Sequence, residues 1–264
     1  MPQAGAVTPR TAYLDHPGPI PFAHRGFSPE GLENSMAAFE AAVALGYRYV
    51  ETDVHATRDG VLVAFHDATL DRVTDGAGEV GALPWSTVRQ ARIGGVEPVP
   101  LLEDLLGTWP DLRVNVDVKA DAAVGPLAEV IERTRAHDRV CVASFADARR
   151  RAVLRHLSRP VTTSAGNAVA AAFRAAAAVR SRAAALRALH DVDCLQVPER
   201  HRRVPVVTAA TVAHAHRAGV PVHVWTVNLP ADMHRLLDLG VDGLVSDRAD
   251  LLRDVLTARG LWVG

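Results

Sequence analysis

The sequence predicts an α/β fold, a closed barrel of eight parallel strands alternating with helices, with a small insertion after the second strand. Three observations predict it. Short apolar runs begin near residues 20, 48, 112, 140, 161, 192, 222 and 242, mostly separated by segments of helical period. Several of those segments stop at a glycine, as at Gly46, Gly219 and Gly240. The polar residues of the runs collect where each run ends: His24, Glu51, Asp53, Asp117, Lys119, Trp225 and Asp247. Barrels of this kind carry their sites at the C-terminal strand ends, so seven residues from five strands would converge on one mouth.

Residues 1 to 19 hold Pro2, Pro9, Pro17 and Pro19 and read as a poorly ordered or surface-draped lead-in. The first strand, Ile20 to Ala23, ends in His24-Arg25-Gly26, where glycine permits a close backbone approach or a positive φ. Asn34 or Ser35 then caps a helix with apolar positions Met36, Phe39, Val43 and Leu45.

The second strand, Tyr49 to His55, carries acids where a buried strand would carry valine. Side chains alternate along a strand, so Glu51, Asp53 and His55 share one face, successive ones roughly 7 Å apart. Two carboxylates buried side by side call for a cation or a proton between them. The strand runs to Asp59-Gly60, a hairpin signal, and Val61 to Phe65 returns to His66-Asp67. A two-residue loop would pair residues whose numbers sum to 119 and set His66 opposite Asp53.

From about residue 68 to 111, glycines and prolines break the pattern into an insertion and a connecting segment, with a helix over Leu101 to Trp109. The third strand, Leu112 to Lys119, puts Asn115, Asp117 and Lys119 on one face. Helix and strand then alternate to the C-terminus: strands Val140 to Phe145, Val161 to Ser164, Val192 to Val197, Val222 to Val227 and Gly243 to Asp247, with an alanine-rich packed helix from Ala168 to Leu189. A length of 264 residues suits one domain over 1–264.

The composition argues against several functions. A net charge of −1 without a basic or acidic block gives no support for a nucleic-acid or membrane-surface partner. No apolar run is long enough for stable membrane insertion, and the N-terminus lacks a signal-peptide pattern. Cys141 and Cys194 sit in apolar runs and read as reduced core residues of a cytoplasmic protein. No helical stripe specifies an oligomeric state. Of 29 basic residues only Lys119 is lysine, which marks a position needing a compact point charge.

Three carboxylates without cysteine, Glu51, Asp53 and Asp117, suit a hard divalent cation, Mg²⁺ or Ca²⁺. His55 is a possible further ligand, though a strand histidine is more often structural. Arg25 and Lys119 add positive charge for a phosphate oxygen. His24 and His66 supply the acid and base that splitting a phosphodiester requires. Trp225 reads as a wall for the substrate's alcohol, as a cation–π partner for a quaternary amine, or as core. Helix capping is the expected role of Ser246 and Asp247.

These blocks resemble the glycerophosphodiester phosphodiesterases: His24-Arg25-Gly26, Glu33-Asn34-Ser35, Glu51-Thr52-Asp53-Val54, Thr57-Arg58-Asp59-Gly60, His66-Asp67 with Leu70 and Arg72, Asp117-Val118-Lys119, Trp225-Thr226-Val227-Asn228, Gly240-Val241-Asp242-Gly243 and Asp247-Arg248. They stand in family order from the first strand to the last. The resemblance implies a TIM barrel, hydrolysis of a small-molecule phosphodiester to an alcohol and glycerol 3-phosphate, Glu51, Asp53 and Asp117 as metal ligands, His24 and His66 as the acid and base, and Arg25 and Lys119 on phosphate. The family most often has glutamate where this chain has Asp117, and Glu33 is a candidate substitute ligand. Lysophospholipids are the alternative substrate, with Val73, Leu83, Trp85 and Ile93 lining a groove or else forming the insertion's own core.

Overall fold

The computed structural model describes residues 8–263. Strand β1 (Ile20–His24), helix α1 (Met36–Ala44) and strand β2 (Tyr49–Ala56) form the first unit, and β3 (Leu62–Ala64) returns antiparallel on β2. A short helix α2 (Trp85–Val88) and the strand pair β4 (Arg92–Ile93) and β5 (Glu97–Pro98) belong to the insertion. Then follow α3 (Leu102–Thr108), β6 (Arg113–Val118), α4 (Val124–Thr134), β7 (Val140–Ala143), α5 (Asp147–Arg155) and β8 (Thr162–Thr163). The second half comprises α6 (Asn167–Ala178), α7 (Arg182–Ala188), β9 (Leu195–Pro198), the hairpin β10 (Arg200–His201) and β11 (Val204–Pro205), α8 (Ala209–Arg217), β12 (Val222–Trp225), α9 (Pro230–Asp238), β13 (Gly243–Ser246) and α10 (Ala249–Ala258).

The parallel strands run in the order β8, β7, β6, β2, β1, β13, β12, β9, and a parallel bridge from Ser164 to Cys194 joins the two ends. This is the eight-stranded TIM-like barrel expected from the strand count. Its wall is packed by two large apolar clusters under the helices, one centred on Val50, Val114, Val116 and Leu127 and the other on Leu195, Val224, Leu236 and Leu252.

Four expectations are corrected. Residues 8–19 are not merely draped over the surface. A 3-10 turn, Ala12–Leu14, places Tyr13 at 0% exposure against Tyr49, Phe22 and both cysteines. The Tyr49 hydroxyl donates to the Tyr13 carbonyl (2.7 Å), and Arg10 donates to the carbonyls of Val192 and Ala218, so this segment plugs the N-terminal end of the barrel. Residues 1–7, where the rest of that expectation falls, lie outside the described residues. The alanine-rich run is two helices. Arg180 at φ 52 breaks it, and the Ser181 side chain caps α7 by accepting from Ala184 N–H.

The β2–β3 register is the third correction. Paired residues sum to 118, because Thr57 N–H bonds the Val61 carbonyl and Gly60 takes the left-handed position (φ 83) of a three-residue loop. Asp53 therefore faces Phe65, whose N–H it accepts (2.8 Å), and His66 lies one residue further on. The fourth concerns Asp247, which does not cap α10: that helix has no side-chain cap, and the carboxylate turns to His24. Of the insertion residues, Ile93 is buried in a small core with Phe65, Leu70, Val80 and Val88, and the half-buried Val73, Leu83 and Trp85 pack against it.

Candidate active site

Strand register assembles the site. β1 pairs with β2 so that His24 sits beside Glu51, and β2 pairs with β6 so that Asp53 sits beside Asp117. All four open into a cavity of about 190 Å³ at the C-terminal end of the barrel, shared with Arg25, His66, Lys119, Phe145, Gln196 and Trp225. The eight residues predicted from sequence therefore meet in one cavity. Gly26 lets the chain just after His24 and Arg25 pass close against helix α1. A Cβ there would stand 2.6 Å from the backbone of Ala38, at a φ of +82°.

Opposite charges alternate around the mouth. Lys119 Nζ lies 2.7 Å from Asp53 and 2.7 Å from Asp117. Arg25 Nε lies 3.1 Å from the other Asp53 oxygen, near enough for charge attraction but out of line for a hydrogen bond. Arg25 also pairs with Glu33 (2.8 Å), Glu33 with Arg72 (2.6 Å), and Arg72 with Asp67 (2.5 Å). Glu33 is thus claimed by two guanidiniums and is not free to replace a metal ligand. Asn34, at φ 59, donates to Asp53 and accepts from the Thr52 hydroxyl, which fixes that carboxylate from behind.

Each histidine leans on a carboxylate through Nδ1: His24 on Asp247 (2.5 Å) and His66 on Asp67 (2.6 Å). An ionised carboxylate only accepts, so the Nδ1 proton is fixed and Nε2 is left for the cavity side. Asp247 is held in turn by Asn228 Nδ2 (2.7 Å). His55 does not line the cavity; its Nε2–H donates to the His66 carbonyl (3.1 Å) and so braces the neighbouring backbone.

Burial works against charge here, and partners decide each outcome. Burial lowers the His24 pKa, but the Glu51 carboxylate and the Asp247 bond outweigh it and leave the imidazole raised. Burial and the adjacent Asp53 push Glu51 well up. Burial opposes ionisation of Asp53 too, yet Lys119 and Arg25 hold it below the usual carboxylate range. Burial raises Asp117 despite Lys119. Arg72 and His66 bring Asp67 down to about 2.

The donor set fits a hard divalent cation. Glu51 is 6% exposed; it accepts from Arg25 N–H at 3.2 Å, and His24 Nε2 lies 3.7 Å away. It is a buried carboxylate short of positive charge, which is where an ion would relieve the desolvation cost. Among the described residues no three acidic, histidine or cysteine side chains already form a metal cluster, since Lys119 occupies the gap between Asp53 and Asp117.

Sequence reasoning gave Asp67 no role although it adjoins His66, and it gave Asp247, at a strand end, the role of a helix cap rather than a partner of His24. Phe145 was also missed. It stacks obliquely against Trp225 (5.7 Å between centroids) and lies 5.4 Å from Lys119 Nζ, so the two rings form an apolar wall facing the charged one.

The barrel mouth therefore sets two cationic side chains and two carboxylate-backed imidazoles around one cavity. The family model for the glycerophosphoryl diester phosphodiesterase family matches residues 24–251. Over 265 aligned residues the chain is 50% identical to a Mycobacterium tuberculosis protein named probable glycerophosphodiester phosphodiesterase 2, covering 100% of both. It is 30% identical to a glycerophosphodiester phosphodiesterase of Caldanaerobacter subterraneus, across 90% of this chain and 98% of the relative. Among solved structures, an Oleispira antarctica phosphodiesterase in complex with its product sn-glycerol-3-phosphate superposes with a TM-score of 0.77 at 22% identity, covering 94% and 100% of the two chains. A glycerophosphodiester phosphodiesterase from Agrobacterium tumefaciens gives 0.72 at 23%, covering 90% and 99%, and both likenesses establish the fold. The chain belongs to the glycerophosphoryl diester phosphodiesterase family and is a phosphoric diester hydrolase.

Proposed function

We propose that this enzyme hydrolyses glycerophosphodiesters to an alcohol and glycerol 3-phosphate, with Mg²⁺ or Ca²⁺ as cofactor and His24 and His66 as the acid–base pair. The observation that carries the reading is the pair of carboxylate-backed imidazoles, His24 on Asp247 and His66 on Asp67, lining one cavity with three acids and two cations. Glu51 and Asp53 would hold the ion, with Asp117 joining them when Lys119 moves toward phosphate. When bound, such an ion would supply positive charge to phosphate oxygens and to the charge that develops at phosphorus.

The chain's own groups do the rest. Arg25 and Lys119 attract the phosphate and neutralise charge that grows as phosphorus is attacked. One imidazole takes the proton of the attacking oxygen, and the other gives a proton to the departing alcohol; the attacker is either water itself or the substrate's own glycerol hydroxyl, whose cyclic phosphate product water then opens to glycerol 3-phosphate. Trp225 and Phe145 bound the cavity on its apolar side.

Release of glycerol 3-phosphate from glycerophosphocholine and glycerophosphoethanolamine tests this, using chelator-stripped protein with Mg²⁺, Ca²⁺ or Mn²⁺ restored. Turnover that requires the ion supports the reading. Full activity after stripping, or folded and metal-loaded protein inert on both diesters, overturns it.

A further inference from the structure

Among the described residues, six large apolar side chains are exposed, and three of them, Phe145, Val204 and Leu229, stand in segments that follow barrel strands at their C-terminal ends. They are therefore on the face of the active site. Apolar exposure concentrated on one face marks a contact surface more than scattered residues would.

The hairpin β10–β11 adds charge to that face. It follows β9 directly, where Pro198 pairs in register with Trp225 at the rim of the cavity. Val206 and Val207 N–H both bond the Glu199 carbonyl and close its base, and Arg235 pins the Glu199 carboxylate (2.8 Å). The tip, Arg200-His201-Arg202-Arg203-Val204, is exposed throughout. Arg200 braces it by donating to the Arg203 carbonyl. Arg202 holds the turn at φ 54. Among the described residues no carboxylate pairs with Arg200, Arg202 or Arg203. Three guanidiniums are thus carried on a braced arm of a chain whose net charge is only −1.

We propose that this hairpin and the apolar side chains beside it dock the mouth of the enzyme on an anionic lipid surface. Guanidiniums suit lipid phosphates, which they can bind in a bidentate manner. Val204 at the tip and Leu229, exposed at the start of α9, suit the boundary between headgroup and acyl chain. A single-stranded nucleic acid would instead want a row of stacking rings. Of the exposed large apolar side chains only Phe145 is aromatic, and it belongs to the cavity. Docking in this orientation brings the cavity to the layer where phosphodiester headgroups lie. The short basic run escaped notice in the sequence because the chain is arginine-rich throughout. Only its placement on a rim hairpin singles it out.

Co-sedimentation of the full-length enzyme with vesicles tests the proposal, comparing phosphatidylcholine alone with phosphatidylcholine plus phosphatidylglycerol. The parent should bind the anionic vesicles and not the zwitterionic ones, and added salt should release it. At about a fivefold loss per arginine, the triple variant R200Q/R202Q/R203Q should bind roughly a hundredfold more weakly. L229S should bind more weakly while keeping the charge preference. Hydrolysis of soluble glycerophosphocholine by the triple variant should match the parent, which also shows that it is folded. Equal binding by the triple variant overturns the proposal, as does absence of anionic preference at low salt. So does hairpin-dependent binding of oligonucleotide or polyglutamate without vesicle binding. The vesicle measurement is read without catalysis and stands apart from the proposed reaction.

Discussion

Replacing Asp247 with asparagine is the most revealing single change, because it alters the charge behind His24 and leaves its shape. Asp247 bonds His24 Nδ1 with one oxygen (2.5 Å) and accepts from Asn228 with the other (2.7 Å). In Asp247→Asn the amide oxygen stays with Asn228, since Asn228 Nδ2 can only donate. The amide N–H then faces Nδ1, forces it to accept, and moves the imidazole proton to Nε2. A base would find its lone pair in the wrong place, and an acid would lose the anion that stabilises its charged form. Acid–base catalysis contributes about 10²–10⁴ in rate, so kcat should fall by about 100-fold or more, or at least about 2.7 kcal/mol. KM should change little, because Asp247 lies behind the imidazole. The pH profile carries the sharper signature. Asp247 helps to raise His24, so the kinetic limb belonging to His24 should move to lower pH in the variant. Steady-state kinetics from pH 5 to 9 on glycerophosphocholine measures both. A kcat within about threefold of the parent, or a tenfold rise in KM at unchanged kcat, would refute the positioning role.

Three more outcomes follow from the same geometry. Asp67→Asn and Arg72→Met should each lower kcat by about 10–100-fold, with Arg72→Lys milder, since Arg72 ties Asp67 and Glu33 together; initial rates with circular dichroism as a folding control decide it. Tyr13→Ala should destabilise the protein by about 3 kcal/mol in urea titrations by opening the barrel plug, whereas Tyr13→Phe should be neutral or slightly stabilising because the buried hydroxyl has no partner. Glu51 has a folded pKa raised above its unfolded value near 4.3, so the folded chain keeps a proton the unfolded chain has released, and the Glu51 contribution to stability falls as pH rises from there through the raised value. Thermal melts of chelated protein should therefore show Glu51→Gln gaining on the parent between pH 5 and 8. Mg²⁺ or Ca²⁺ should stabilise the parent increasingly over the same range, and parallel pH curves would contradict this.

The barrel was legible because buried parallel strands read as short valine-rich runs, and each run could be recognised without knowing its partner. The site was legible for a related reason: Glu51, Asp53, Asp117 and Lys119 are charges on strands, where charge is costly. Residues whose role depends on a long-range partner were less visible. Asp247 lies 223 residues from His24, and nothing local distinguishes its carboxylate from a helix cap. The hairpin register failed by one residue because Asp59-Gly60 signals a turn without fixing whether two or three residues close it. Tyr13 was lost in a proline-rich segment, where composition describes the backbone and says little of one aromatic side chain buried at a barrel end.

The division of labour between His24 and His66 is tested most directly by varying the leaving group. Glycerophosphocholine releases an alcohol that needs a proton, whereas a p-nitrophenyl ester of glycerol 3-phosphate releases a phenolate that does not. With His24→Ala and His66→Ala, one variant should lose far less activity on the p-nitrophenyl ester than on glycerophosphocholine, and the other should lose similar amounts on both. Equal losses for both variants on both substrates, or full activity in either variant on glycerophosphocholine, would contradict an acid–base pair.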